Sequence, residues 1–127
     1  MQLQGMHLTS LGGGNVLLEP TEALDPGDPD TLVVPLAEAM QQMRARQLLY
    51  DLKSLAVIDA LYYTWLRRVS AICRITGVEL VVVNIRPAAA YALAILMQEP
   101  PPFRCALNID RARGLEKAAT APRPGRP

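Results

Sequence analysis

The chain has 127 residues, half of them apolar and 20% charged, with a formal net charge of +1. That length suits one domain around a single core and leaves little for a second. The near-neutral balance gives no bulk electrostatic drive toward nucleic acid or an anionic membrane, so neither is an expected partner.

His7 to Leu11 and Val16 to Glu19 read as two short strands. Gly12-Gly13-Gly14-Asn15 between them tolerates positive φ and predicts a hairpin. Pro20 to Asp30 carries three prolines and a run of acids and reads as a loop. Leu32 to Gln47 has helical spacing, with Asp30 or Thr31 as the cap and Pro35 near the first turn. Leu48 to Leu52 follows as a buried strand.

Asp59 fits the N-cap of a second helix reaching about Thr76. Its apolar stripe is Leu61, Trp65, Val69, Ile72 and Cys73, and Gly77 closes it. Val78 to Ile85 is almost uninterrupted by polar residues, as in a strand buried on both faces. Pro87 opens a third helix running to about Gln98, and Pro100-Pro101-Pro102 stops it. Phe103 to Ile109 predicts a last strand, and Asp110 the cap of a short helix to about Lys117. Residues 118–127, rich in Ala, Pro, Arg and Gly, read as a disordered tail. The order ββαβαβαβα predicts an α/β fold, a mixed sheet with an N-terminal hairpin followed by mostly parallel strands and right-handed crossovers.

Residues for catalysis are sparse. His7 is the one histidine, and its plain reading is an ordinary strand residue. Gly12 to Gly14 lacks the Lys-Ser or Lys-Thr of a phosphate loop. The acids Glu22, Asp25, Asp28 and Asp30 lack the spacing of a calcium loop, so no metal is expected. Cys73 and Cys105 show no metal-like spacing and read as packed small hydrophobes. So few cysteines in a small chain point to a reduced, cytoplasmic setting. Met1 to Gly5 does not begin a signal peptide. Ala88 to Met97, the longest apolar stretch, is too short to span a bilayer, so no direct membrane insertion is expected. Pro124 to Pro127 has P-x-x-P spacing, which arises often by chance in a disordered end.

One constellation is more specific. Asp51-Leu-Lys-Ser54 leaves a strand, and Val57-Ile58-Asp59-Ala60-Leu61 enters a helix. The next strand delivers Asn84-Ile85-Arg86-Pro87 to the same edge if the two are parallel. Partners of α/β domains often read this edge. Asp59 taken alone is a helix cap worth about 1 kcal/mol. Further along the helix, Tyr63, Arg67 and Arg74 fall near one face, and both residue types are favoured at interfaces. An ordinary solvated face is the equal alternative.

These residues resemble the STAS (anti-sigma factor antagonist) family. The resemblance rests on Leu49-Tyr-Asp51, on Val57-Ile58-Asp59-Ala60, and on Gly77 through the strand to Asn84-Ile85-Arg86-Pro87. It continues through Ala88 to Leu93, Ala106 to Asp110 and Gly114 to Lys117, placing a single STAS domain over residues 7–117. Within the family it is nearest the small STAS-only stressosome subunit, RsbS-like.

The resemblance implies a non-enzymatic protein without cofactors, working in a partner-switching or stressosome-type pathway. Its partners would be a serine/threonine protein kinase of the GHKL type, acting as switch or anti-sigma factor, and other STAS proteins in a homo- or hetero-oligomer. The kinase of such systems phosphorylates the residue after the helix-start aspartate. A phosphate adds roughly −1.5 to −2 charges to the docking surface and weakens the complex. Here that residue is Ala60, which cannot accept phosphate. Either regulation has moved to Ser54 or Thr64, or the chain is a phosphorylation-resistant antagonist or scaffold. The second is favoured because neither hydroxyl is at the helix start. The expected partner-binding set is Ser54, Asp59, Ala60, Leu61, Tyr63, Thr64, Arg67, Asn84, Arg86 and Pro87. Two competing functions remain: a small-ligand or nucleotide-binding module using the same helix starts, and an accessory subunit of a membrane transport complex.

Overall fold

The computed structural model describes residues 1–97 and 99–114. Six strands, β1 (Gln2–Leu3), β2 (Met6–Gly12), β3 (Asn15–Pro20), β4 (Gln47–Asp51), β5 (Glu79–Val83) and β6 (Arg104–Ala106), form one sheet. Four helices, α1 (Asp30–Gln42), α2 (Ala60–Ile75), α3 (Pro87–Leu96) and α4 (Ile109–Arg113), complete the described chain. The strands lie in sequence order across the sheet. β1, β2 and β3 pair antiparallel, and β3 to β6 run parallel. This is the expected mixed α/β sheet, opened by a hairpin.

Sequential order combined with right-handed crossovers puts α1, α2 and α3 on one face of the sheet. Alternate strand residues Met6, Leu8, Val16, Leu18, Leu48, Tyr50, Leu80 and Val82 meet them there. The other face holds a smaller cluster of Leu49, Val81 and Val83 beneath Ala112 of α4. Because β4 and β5 are covered on both faces, their sequences show no polar alternation.

Several boundaries differ from expectation. The sheet begins at Gln2 rather than His7, since Gln2 and Leu3 pair with β2. The turn into β2 needs Gly5, which has φ 75° and whose missing Cβ would sit 2.5 Å from Leu24 Cα. α1 stops at Gln42, not Gln47, because Gln47 is already paired with Asn15 and Glu79. The chain turns in between, with Arg44 at φ 52°. Neither Asp30 nor Thr31 caps α1: Asp30 binds Arg68 at 2.9 Å, and Thr31 donates to the Asp28 carbonyl. The last strand is only Arg104–Ala106, and α4 is capped by Asn108, not Asp110. Asn108 Oδ1 accepts from Arg111 N, and Gly114 at φ 80° ends α4 before Lys117. Lys117, the tail from residue 118 and its P-x-x-P lie outside the described residues.

Candidate docking edge

The carboxyl ends of β4 and β5 set this edge. Asp51 ends β4 and is 1% exposed. Its Oδ1 accepts from the Lys53 backbone N–H at 2.9 Å and from Asn84 Nδ2 at 3.2 Å. Lys53 Nζ sits 3.4 Å from Oδ2 and also reaches Glu19. Asn84 follows β5 at φ 59°, a conformation that asparagine tolerates better than most residues. Leu52 N–H donates to the Val83 carbonyl at 3.0 Å. One buried carboxylate therefore ties the loop entering α2 to the turn entering α3. The docking set contained Asn84 but not Asp51. An acid closing an otherwise apolar strand was the available signal, but its partner lies 33 residues away.

Asp59 is the N-cap of α2, as expected, with Oδ1 accepting from Tyr62 N–H at 2.8 Å. Ala60 is the first helical residue and is exposed. Leu61 was expected on the buried stripe; it is 51% exposed instead. Leu61 lies at the rim of the buried stripe: Trp65, Leu66, Val69 and Cys73 of α2 are buried, while in the first turn Tyr62 and Tyr63 pack partly against the core. Val57, 64% exposed, adds to this apolar surface. Ile58 between them is buried and anchors the loop. Arg86 is the exposed N-cap residue of α3, and Pro87 takes its first position.

The other expected residues diverge around α2. Ser54 is exposed and lines an open cleft with Leu24, Pro26, Leu55 and Tyr62. Thr64 is exposed, its hydroxyl bonded back to the Ala60 carbonyl at 3.0 Å. Tyr63 and Arg67 line a cleft against Leu96, Glu99, Pro100 and Pro102. Arg74, expected on the same face, reaches the Pro102 carbonyl together with Ser70. The helix start thus gathers Asp59, Ala60 and Leu61, with Ser54 and the Tyr63–Arg67 cleft on its flanks.

A hydroxyl chain braces the first two turns of α2. Trp65 Nε1 donates to Tyr50 Oη at 2.9 Å, and Tyr50 Oη shares a 2.6 Å hydrogen bond with Tyr62 Oη. The two tyrosine rings meet edge to face. Burial pushes the Tyr62 hydroxyl up to about 12 and holds Tyr50 well above the usual tyrosine range. The folded state keeps these protons after the unfolded chain has released them at about pH 10. This stabilisation is complete below about pH 10 and is lost as pH rises through about 12. Absorbance at alkaline pH should show Tyr62 and Tyr50 titrating late and with unfolding. Titration of every tyrosine near pH 10 in the folded protein would contradict the chain.

His7 sits on β2 and hydrogen-bonds Gln2. Cys73 is buried, 4.0 Å from Met40 sulfur, and burial raises its thiol to about 12. Cys105, expected to be packed, is exposed, because β6 is a three-residue edge strand with no outer neighbour among the described residues. Among the described residues, no group of three or more His, Cys, Asp and Glu could hold a metal. No helix among them is long and apolar enough to cross a membrane.

No family model and no curated relative matches the sequence. Solved structures do match. A serine-to-glutamate variant of RsbS from Moorella thermoacetica has a TM-score of 0.73 at 19% identity, covering 88% of this chain and 97% of that one. A chain of the stressosome, a signal integration and transduction hub, gives 0.71 at 20% identity, covering 90% and 99%. The anti-sigma factor antagonist SpoIIAA in its unphosphorylated form gives 0.58 at 10% identity, covering 91% and 98%. The fold is the one these three share.

Proposed function

We propose that this chain, which has the STAS fold, is a non-catalytic docking subunit of a partner-switching or stressosome-type assembly. Its partners are a GHKL-type serine/threonine kinase and other STAS proteins. The observation that carries this is the start of α2: a capping aspartate, an exposed Ala60 where a phosphoacceptor is expected, and exposed Leu61 and Val57 beside it. An apolar patch at a loop-rich edge favours a protein partner over a small polar ligand. Asp51 and Asn84 hold the second loop of the edge in place, which lowers the ordering cost of docking.

Ala60 makes the surface insensitive to phosphorylation at the helix start. Thr64 is a weak substitute, since its hydroxyl is committed to the helix backbone. Ser54 is exposed but belongs to the loop before the helix. The chain therefore acts as a constitutive antagonist or scaffold.

Ala60→Ser tests the lineage. The variant should accept phosphate from a GHKL-type kinase of the same cell, while the natural chain should not. Radiolabel incorporation with mass-spectrometric site mapping reads the result. No incorporation, with a kinase active on another substrate, would remove the helix start from the kinase's reach.

A further inference from the structure

We infer that the free edge of β6 is a strand-addition site, where an extended segment of another protein, acidic at every second position, pairs with the backbone around Cys105. The site shares no residue with the start of α2.

A strand at the margin of a sheet presents unpaired N–H and C=O groups. β6 is such a strand, with no outer neighbour among the described residues. Its register says which groups are free. Glu79 N–H donates to the Arg46 carbonyl and Leu52 N–H to the Val83 carbonyl, so alternate residues from Glu79 to Val83 turn their backbone toward β4. Val82 therefore turns toward β6, and Cys105 opposite it turns its own N–H and carbonyl outward. Arg104, Cys105 and Leu107 are all exposed along this edge.

An open cleft flanks the edge on each face. On the α2 side Val78, Leu80, Pro101, Pro102 and Phe103 line it with Arg74. On the α4 side the lining includes Arg104, Arg111 and Arg113. Successive side chains of an added strand point to opposite faces. One set would enter the mostly apolar cleft, and the other would meet three arginines. Together the clefts hold four arginines and one acid, Glu79, which Gln47 and Arg104 already engage. Arg113 also has a buried Nε without a hydrogen-bond partner. Guanidinium groups suit carboxylates, so apolar residues alternating with Glu or Asp are the complement.

Charge disfavours the nearer occupants. Residues 115–127 carry Lys117, Arg123 and Arg126 against Glu116 alone. Two copies paired edge to edge would set their arginines against each other. An acidic segment from another protein meets neither objection.

Titration of the isotope-labelled full chain with acetyl-Val-Glu-Val-Glu-Val-Glu-Val-amide, followed by NMR, tests this. The amide signals of Arg104 to Leu107 should shift. Lysine in place of each glutamate of the peptide should weaken binding by at least roughly tenfold. Cys105→Pro removes the outward N–H without breaking a bond to β5 and should weaken binding at least roughly fivefold, whereas Cys105→Ala should bind as the natural chain does. Arg111→Glu alters an exposed side chain and stays informative if the proline variant misfolds. It should weaken the glutamate peptide and tighten the lysine one. No shift at β6 would overturn the inference, as would equal binding of the two peptides. Natural affinity in Cys105→Pro would reduce the contact to charge attraction without strand pairing and overturn it too. So would a single-stranded oligonucleotide that displaces the glutamate peptide, or β6 signals that move with protein concentration alone, the mark of a second copy on the edge. A failure here leaves the kinase-docking proposal untouched.

Discussion

Leu61→Asp should reduce capture of the partner by at least roughly tenfold, in line with the loss of a central apolar anchor at an interface. Leu61 lies in the first turn of α2, half exposed, next to Ala60 and near Val57. Docking would strip water from this surface. A carboxylate placed there must be desolvated without a partner, which disfavours the complex more than removal of the apolar group alone. Folding should be little changed, because Leu61 contributes little to the core. Asp59 needs a separate comparison, since its carboxylate also caps the helix. Asp59→Ala should lose about 1 kcal/mol of stability through the cap. Asp59→Ser retains a capping oxygen but removes the charge. Weakened binding in both, measured by titration against a purified partner, assigns Asp59 a contact beyond the cap. Natural affinity in Leu61→Asp would remove the apolar patch from the docking surface.

Trp65→Ala should cost about 3–5 kcal/mol of folding stability, as for other buried aromatic deletions. Trp65 is fully buried, and its indole N–H is bonded to Tyr50. The deletion opens a large cavity between α2 and the sheet and withdraws a donor from the buried Tyr50 hydroxyl. Against a typical domain stability of about 5–15 kcal/mol, that loss removes from about a fifth of the margin to all of it. Trp65→Phe keeps most of the volume and loses the hydrogen bond, so a smaller loss of about 1–3 kcal/mol is expected. Urea unfolding followed by circular dichroism reads both. A loss below about 1 kcal/mol for Trp65→Ala would mean that the site collapses around the gap, contrary to a braced helix start.

The parts of the fold that were legible in sequence are those with strong local signals. β4 and β5 showed as apolar runs, α2 as a span between Asp59 and Gly77, and the hairpin as Gly12 to Asn15. β1 was missed because a two-residue strand has no periodicity. The end of α1 was misplaced because strand register, not local propensity, decides where β4 begins. Leu61 fits the spacing of the α2 stripe, yet spacing cannot tell that in the first turn Tyr62 and Tyr63 meet the core and Leu61 is left half exposed. The Asp51–Asn84 bond joins residues far apart in sequence and became visible only with the sheet assembled. The outer face of α3 was hidden for the opposite reason. A helix apolar on every side has no polar stripe to say which side meets solvent.

A docking surface without a phosphoacceptor at the start of α2 can be tested directly. The most direct measurement is parallel affinity purification from native cells with the natural chain and with Leu61→Asp as baits, followed by mass spectrometry of partners and phosphosites. The natural bait should recover a GHKL-type kinase or other STAS proteins, Leu61→Asp should lose them, and neither Ser54 nor Thr64 should carry phosphate. Recovery of transporter subunits instead, equal recovery by both baits, or phosphate at Ser54 or Thr64 would contradict it.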